Sequence, residues 1–298
     1  MLCRARRVRA FVSPLLGRRM LGAGRFAASL GALVIAIAMS SCRNKRPLPP
    51  GARELAARMV AGKFSRPALG SDVHYQLFVP AHYSESGRYP LIVWLHGAGS
   101  EGTDNLQPLS PPVGALIDRA QLVEPAFVLV PQDPVGDKWV SGSGEPPFRN
   151  YHQADRPQSA AARLVLAGID ELETRYRIDP DRIYLTGGSA GGTGTWDLIT
   201  RNGIGRFAAA APMTGANDPS RAAVIAQLPI WAFHGAKDNV APVENTREMV
   251  ANLRALGSPV KYTEYPTVGH DAWTPALAEP DLFTWLFAQK RAAGTARP

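Results

Sequence analysis

The chain is predicted to fold as an α/β protein, a mostly parallel β-sheet with helices on both faces. Three observations predict it. From about residue 66 onward, short β-rich runs alternate with stretches of helical period, and no repeat or low-complexity block interrupts them. With 298 residues, 45% of them hydrophobic, the chain has ample apolar surface for a large core, which excludes a disordered polymer. The polar and glycine-rich segments follow the β-rich runs directly, where ligands sit in such sheets.

The first forty-two residues read as an address rather than as structure. They hold seven Arg and no acid, then an apolar stretch over 26–39, then Ser40-Ser41-Cys42. That stretch is fourteen residues, short of the ~20 needed to span a bilayer but fitting a signal-peptide core. The tail Met39-Ser40-Ser41-Cys42 resembles the lipobox of bacterial lipoproteins, with Met39 where Leu is usual, and implies acylation at Cys42. Arg18-Arg19 also resembles a twin-arginine export signal, and Met20 is an alternative start. The expectation is an exported lipoprotein, membrane-anchored and facing the periplasm or cell exterior, with a soluble secreted form as the alternative. Cys3 would be discarded with the signal, leaving Cys42 without a partner for a disulfide. Residues 43–65 open with a charged, Pro-rich segment and are expected to tether a catalytic domain over 66–298.

Charge excludes one class of partner. The formal net charge is +8, but removing the seven Arg of the leader leaves 26 basic against 25 acidic side chains. A domain so near neutrality has no field for gripping phosphate backbones, so nucleic acid is not expected as a partner.

Within the domain, strands are expected over 73–79, 91–95, 127–130, 183–186, 207–211, 230–233 and 260–265, and helices over 113–122, 159–176, 191–201, 243–256 and 275–289. Two glycine motifs follow strands. Residues 97–102 match Gly-x-Gly-x-x-Gly, but a dinucleotide site needs a helix to begin within the motif, and Pro108, Pro111 and Pro112 follow instead. No nucleotide cofactor is expected.

The second motif, Gly187-Gly188-Ser189-Ala190-Gly191, lies between the strand over 183–186 and the helix over 191–201. A strand turning sharply into a helix pushes the Ser hydroxyl outward and needs small neighbours, while the new helix aims free N–H groups at the same spot. A hydroxyl still requires a base and an orienting acid. Two later strands end in His234-Gly235-Ala236-Lys237-Asp238 and in Val268-Gly269-His270, which sets Ser189, Asp238 and His270 in the order nucleophile, acid, base. Asp238 would fix the tautomer of His270, and His270 would take the Ser189 proton. His96 and His234 precede the acid and read as loop anchors, Asp218 is the reserve acid, and Asp271 reads as a cap or a solvated side chain. The other histidines, 74, 82 and 152, make no metal-binding spacing, so no metal is expected.

The segments LIVWLHGAGSEGTDN, DRIYLTGGSAGGTGTWDL, PIWAFHGAKDNVAPVENTREMV and KYTEYPTVGHDAWTP, in that order, resemble α/β-hydrolases of the predicted peptidase and esterase group, related to polyhydroxyalkanoate-depolymerase-like and feruloyl-esterase-like enzymes. The resemblance covers about 73–289 and implies a single α/β-hydrolase domain. It also implies an oxyanion site from the Ala190 amide and a second backbone donor after the His-Gly pair, Ala98 or the adjacent Gly99. Relatives often carry Met where Ala190 stands, a change that leaves a backbone donor intact.

The Gly- and Pro-rich stretch over 132–158 leaves a strand end and carries Trp139, Phe148, Tyr151 and His152. It reads as a cleft wall, with Trp139 as the substrate contact. The expected activity is that of an exported serine hydrolase cleaving a small-molecule or oligomeric carboxylic ester through an acyl-enzyme on Ser189. Two alternatives stand beside it: a serine peptidase with the same residues, and a binding protein of the same fold without the triad. The hydrolase segments fill nearly all of the 256 residues after the leader, so no separate gating domain of the oligopeptidase kind is expected.

Overall fold

The computed structural model describes residues 46–142, 151–202 and 205–291. The expected leader with Cys42, and Phe148 of the loop, lie outside the described residues. The described residues from 48 onward form one compact unit.

Eight strands form one sheet. They are β1 (Val60–Arg66), β2 (Ser71–Phe78), β3 (Tyr89–Leu95), β4 (Phe127–Gln132), β5 (Ile178–Gly188), β6 (Ala209–Met213), β7 (Trp231–Gly235) and β8 (Lys261–Tyr265), in the order β1-β2-β4-β3-β5-β6-β7-β8. From β4 across to β8 the neighbours run parallel, and β2 pairs antiparallel with both β1 and β4. This is the mostly parallel α/β sheet the alternation predicted.

The helices are α1 (Ala52–Ala56), α2 (Pro111–Val123), α3 (Ala160–Arg175), α4 (Ala190–Asn202), α5 (Glu244–Ala255), α6 (Trp273–Ala278) and α7 (Leu282–Phe287). Side chains along a strand alternate between faces, so a buried strand feeds two cores. In β3, Leu91, Val93 and Leu95 pack into a core with Leu164, Val165 and Leu172 of α3, Leu198 of α4 and Leu253 of α5. Ile92 and Trp94 enter the opposite core with Leu116 and Ile117 of α2, Leu277 of α6 and Phe283 of α7. Helices therefore cover both faces.

Local chemistry sets the helix ends. Ser159 caps α3, accepting from the Ala162 amide at 3.0 Å while its hydroxyl donates to Trp139 O at 2.9 Å. Pro111 and Pro112 occupy the first turn of α2, where a missing N–H costs nothing.

Two expectations are corrected. The expected tether over 43–65 is instead folded in its described part: α1 lies within it and β1 begins there, pairing in register with β2 from Val60 opposite Leu77 to Arg66 opposite Ser71. An edge strand buries little, and Phe64 is the one fully buried residue of β1, so no strong period marks it. The single helix over 275–289 is two, α6 and α7, broken at Glu279-Pro280, because proline cannot donate to the preceding turn and its ring clashes there.

Candidate active site

The turn from β5 to α4 holds Ser189 at φ +58°, a left-handed conformation costing a non-glycine residue about 1 kcal/mol. The Ser189 amide donates to Met213 O at 3.1 Å, tying the strained turn to the end of β6. Glycine is required at Gly191, where a Cβ would come 1.9 Å from Leu95 O. At Gly187 a Cβ would lie 2.6 Å from the carbonyls of both Leu95 and Gly191. The backbones of β3, β5 and α4 thus close on one another, and the hydroxyl projects from the turn.

Sheet order brings the other two residues to it. The Ser189 hydroxyl donates to His270 Nε2 at 2.7 Å, and His270 Nδ1–H donates to Asp238 Oδ2 at 2.8 Å. Asp238 follows β7 and His270 follows β8, and both loops are braced: Lys237 N donates to Val268 O at 2.9 Å. The Asp238 side chain is fully buried. Burial works to raise its pKa, but donors from His234, His270 and the amides of Val240 and Ala241 outweigh it and hold the carboxyl well below the usual range. The stability linked to that depression is complete above the ordinary carboxylate range and is lost only as pH falls through the lowered value. Asp238 is therefore a carboxylate at neutral pH.

His234 anchors its own loop and also contacts Asp238. Its Nε2–H lies 2.9 Å from Ala241 O and 3.2 Å from Asp238 Oδ2, and its Nδ1 is 2.8 Å from Thr246 Oγ1. The signal was a histidine four residues before the acid across a tight turn. His96 sits under its own loop, with Nδ1 2.8 Å from Gly97 O. Asp218 accepts from Ser220 and from the Gln153 amide rather than from a histidine, and Asp271 accepts from the Thr274 amide at the start of α6.

Ser189 and His270 open onto a cleft of about 170 Å³ whose lining includes Ala98, Trp139, Val140, Ala190, Val240 and Ala241. Ala190 is the first residue of α4, so its amide has no acceptor within the helix. Of the two alternatives after the His-Gly pair, Ala98 lines the cleft and Gly99 does not. The Gly99 expectation is corrected: its N–H is spent on Glu101, 3.0 and 2.9 Å from the two carboxylate oxygens. Trp139 borders the cleft but is only 1% exposed, and its indole N–H is committed to His96 O at 2.9 Å. Tyr151, from the far side of the same loop, is buried and donates to Asp197 of α4, which pins the loop to the helix behind the nucleophile. Among the described residues, no cluster of His, Cys, Asp or Glu could hold a metal ion.

Several known proteins resemble this chain. A thermostable esterase of known structure is 37% identical and superposes with a TM-score of 0.71 over 80% of this chain and 64% of its own. The bifunctional acetylxylan esterase/xylanase of Neocallimastix patriciarum is 31% identical over 86 residues, 29% of this chain and 13% of that protein. Acyl-protein thioesterase 1 of Gibberella zeae is 29% identical over 125 residues, 36% of this chain and 48% of that protein. The chain thus spans less than two thirds of each of these relatives. The Esterase family model matches residues 66–257, from the end of β1 to just past α5, and takes in Ser189 and Asp238. With that match over more than half its length, and with an eight-stranded α/β-hydrolase sheet around the site, this chain belongs to the Esterase family.

Proposed function

We propose that the protein is a serine hydrolase that cleaves carboxylic esters through an acyl-enzyme on Ser189. The observation that carries this reading is the continuous hydrogen-bonded line from the Ser189 hydroxyl through His270 to the buried Asp238 carboxylate, at the floor of an open cleft. In the first half-reaction His270 Nε2 takes the Ser189 proton as Oγ bonds to the ester carbonyl carbon, and the carbonyl oxygen becomes an oxyanion facing the Ala98 and Ala190 amides. The proton on Nε2 then passes to the departing alkoxide as the C–O bond breaks. Water repeats the sequence, giving up its proton to His270, releasing the acid and restoring Ser189. Asp238 keeps the Nδ1–H tautomer in place and stabilises the imidazolium formed at each step. Small walls at Ala98, Ala190, Val240 and Ala241 beside the Trp139 indole favour short acyl or aryl groups.

A fluorophosphonate probe is expected to label the protein at Ser189 alone, since phosphonylation requires a hydroxyl with a positioned base. Mass spectrometry of the labelled peptide reads this directly, and wild-type labelling rates in Ser189→Ala would defeat the assignment.

Export and acylation at Cys42 belong to the same proposal, supported by the Arg-rich leader, the apolar stretch over 26–39 and Ser40-Ser41-Cys42. Among the described residues no helix is long and apolar enough to cross a membrane; an acyl chain on Cys42 would itself supply membrane affinity. Cys42→Ser is expected to shift the protein out of the membrane fraction or block its processing. An unchanged distribution with unmodified Cys42 would mean a soluble exported enzyme.

A further inference from the structure

The Gly97–Ala98 peptide is gripped from behind by a second His–Asp pair. His96 Nδ1 lies 2.8 Å from Gly97 O, and because a carbonyl only accepts, the proton of that contact sits on Nδ1. In a trans peptide the C=O and the following N–H point in opposite directions, so a donor on Gly97 O dictates where the Ala98 N–H points. Gly97 itself lies against the nucleophile turn: a Cβ there would stand 3.4 Å from Gly188 O and from Ser189 Cβ.

The other ring nitrogen faces Asp133, the residue that follows β4. Asp133 Oδ1 is 3.0 Å from His96 Nε2, both side chains are 3% exposed, and Oδ1 has no aligned hydrogen-bond partner among the described residues. The Asp133 amide donates to Nε2 at 3.3 Å, so this nitrogen is an acceptor and the ring is the Nδ1–H tautomer. A bare carboxylate facing an imidazole lone pair at this distance, away from water, would be repulsive, so the proton that relieves it rests on the Asp133 carboxyl. Burial pushes the Asp133 carboxyl above its ordinary range against the pull of His96, which helps the pair keep that proton. Trp139 closes the arrangement, its indole N–H on His96 O and its ring edge-on to the imidazole at 5.0 Å.

We propose that Asp133 is a positioning residue for the oxyanion site: acting through His96, it holds the Gly97–Ala98 peptide in the orientation that presents the Ala98 N–H to the substrate's developing oxyanion. The inference rests on the ester-hydrolase reading of this cleft. A donor aimed in advance needs no reorganisation when charge appears, so the pair acts on the transition state and hardly on ground-state binding.

The test compares wild type, Asp133→Ala and Asp133→Asn on a short-chain aryl ester, with functional sites counted by fluorophosphonate titration carried to completion so that misfolded protein drops out. In Asp133→Ala, kcat per titrated site is expected to fall about thirtyfold with KM within about twofold, a smaller loss than deleting an oxyanion donor outright. Affinity for a trifluoromethyl ketone, which forms a tetrahedral adduct bearing the oxyanion, should fall in parallel. Asp133→Asn keeps a donor for His96 Nε2 and should recover to within about threefold of wild type. Asp133→Leu, which occupies the same space without a donor, is read in the same way should the Ala variant not fold. Unchanged kcat per site, a loss confined to KM, or equal losses in the Asn and Ala variants would each overturn the proposal. Wild-type protein that neither labels at Ser189 nor turns over any ester would overturn the hydrolase reading, and this inference with it.

Discussion

His270→Ala is expected to lower kcat for ester hydrolysis by about three orders of magnitude or more, because nucleophile and base act as a unit and the loss of either removes most of what the pair contributes. No other histidine can take over. His96 is engaged with Gly97 O and Asp133, and His234 is fully buried against Asp238, Ala241 and Thr246. Asp238→Asn should cost nearly as much, about a thousandfold, since an amide can donate to His270 Nδ1 and so favour the tautomer that cannot accept from Ser189. Steady-state kinetics on a chromogenic ester, with circular dichroism to verify folding, reads both. Activity of His270→Ala within tenfold of wild type, or greater damage from Asp218→Asn than from Asp238→Asn, would refute the proposed roles. Asp218 is committed to Ser220 and Gln153, so its replacement is expected to leave turnover nearly unchanged.

The second large effect separates esters from peptides. kcat/KM for a good short-chain or aryl ester should exceed that for the matched peptide amide by at least about a thousandfold, roughly 4 kcal/mol of differential barrier. Amide cleavage requires His270 to protonate a poor nitrogen leaving group held in a narrow geometry, whereas an alkoxide leaves with less help. The described cleft is small and largely apolar, with Val140, Val240 and Ala241 around the Trp139 indole. Such a surface offers few backbone partners for an extended peptide. Comparable values for an ester and an amide of the same acyl group would establish a serine peptidase.

The extent to which the site could be read from the chain follows from where its parts lie. Ser189, Asp238 and His270 each stand just beyond a buried apolar strand, and small residues flank the serine because the tight β5–α4 turn demands them. Those signals are local. Asp133 also follows a strand directly, yet it has no motif around it, and its partner His96 lies 37 residues earlier. The contact of His234 with Asp238 and the capture of the Gly99 amide by Glu101 depend on side-chain directions within turns, which residue types alone do not specify. β1 escaped notice for a different reason: a strand that buries one side chain carries almost no hydrophobic period, and its identity comes from pairing with β2.

The α/β sheet, the strand ends that carry the polar motifs and the chain order Ser189, Asp238, His270 were all legible along the chain. Period, turn composition and glycine placement are properties of neighbouring residues, each expressed within a few positions along the chain. Folding alone brings the Ser189 hydroxyl to an imidazole 81 positions away, turns Ala98 rather than Gly99 to the cleft, and buries the Asp133 carboxyl beside His96. Those outcomes depend on which strands become neighbours in the sheet and on tenths of an ångström in how their loops pack, and both are set by the shared burial of residues far apart in sequence.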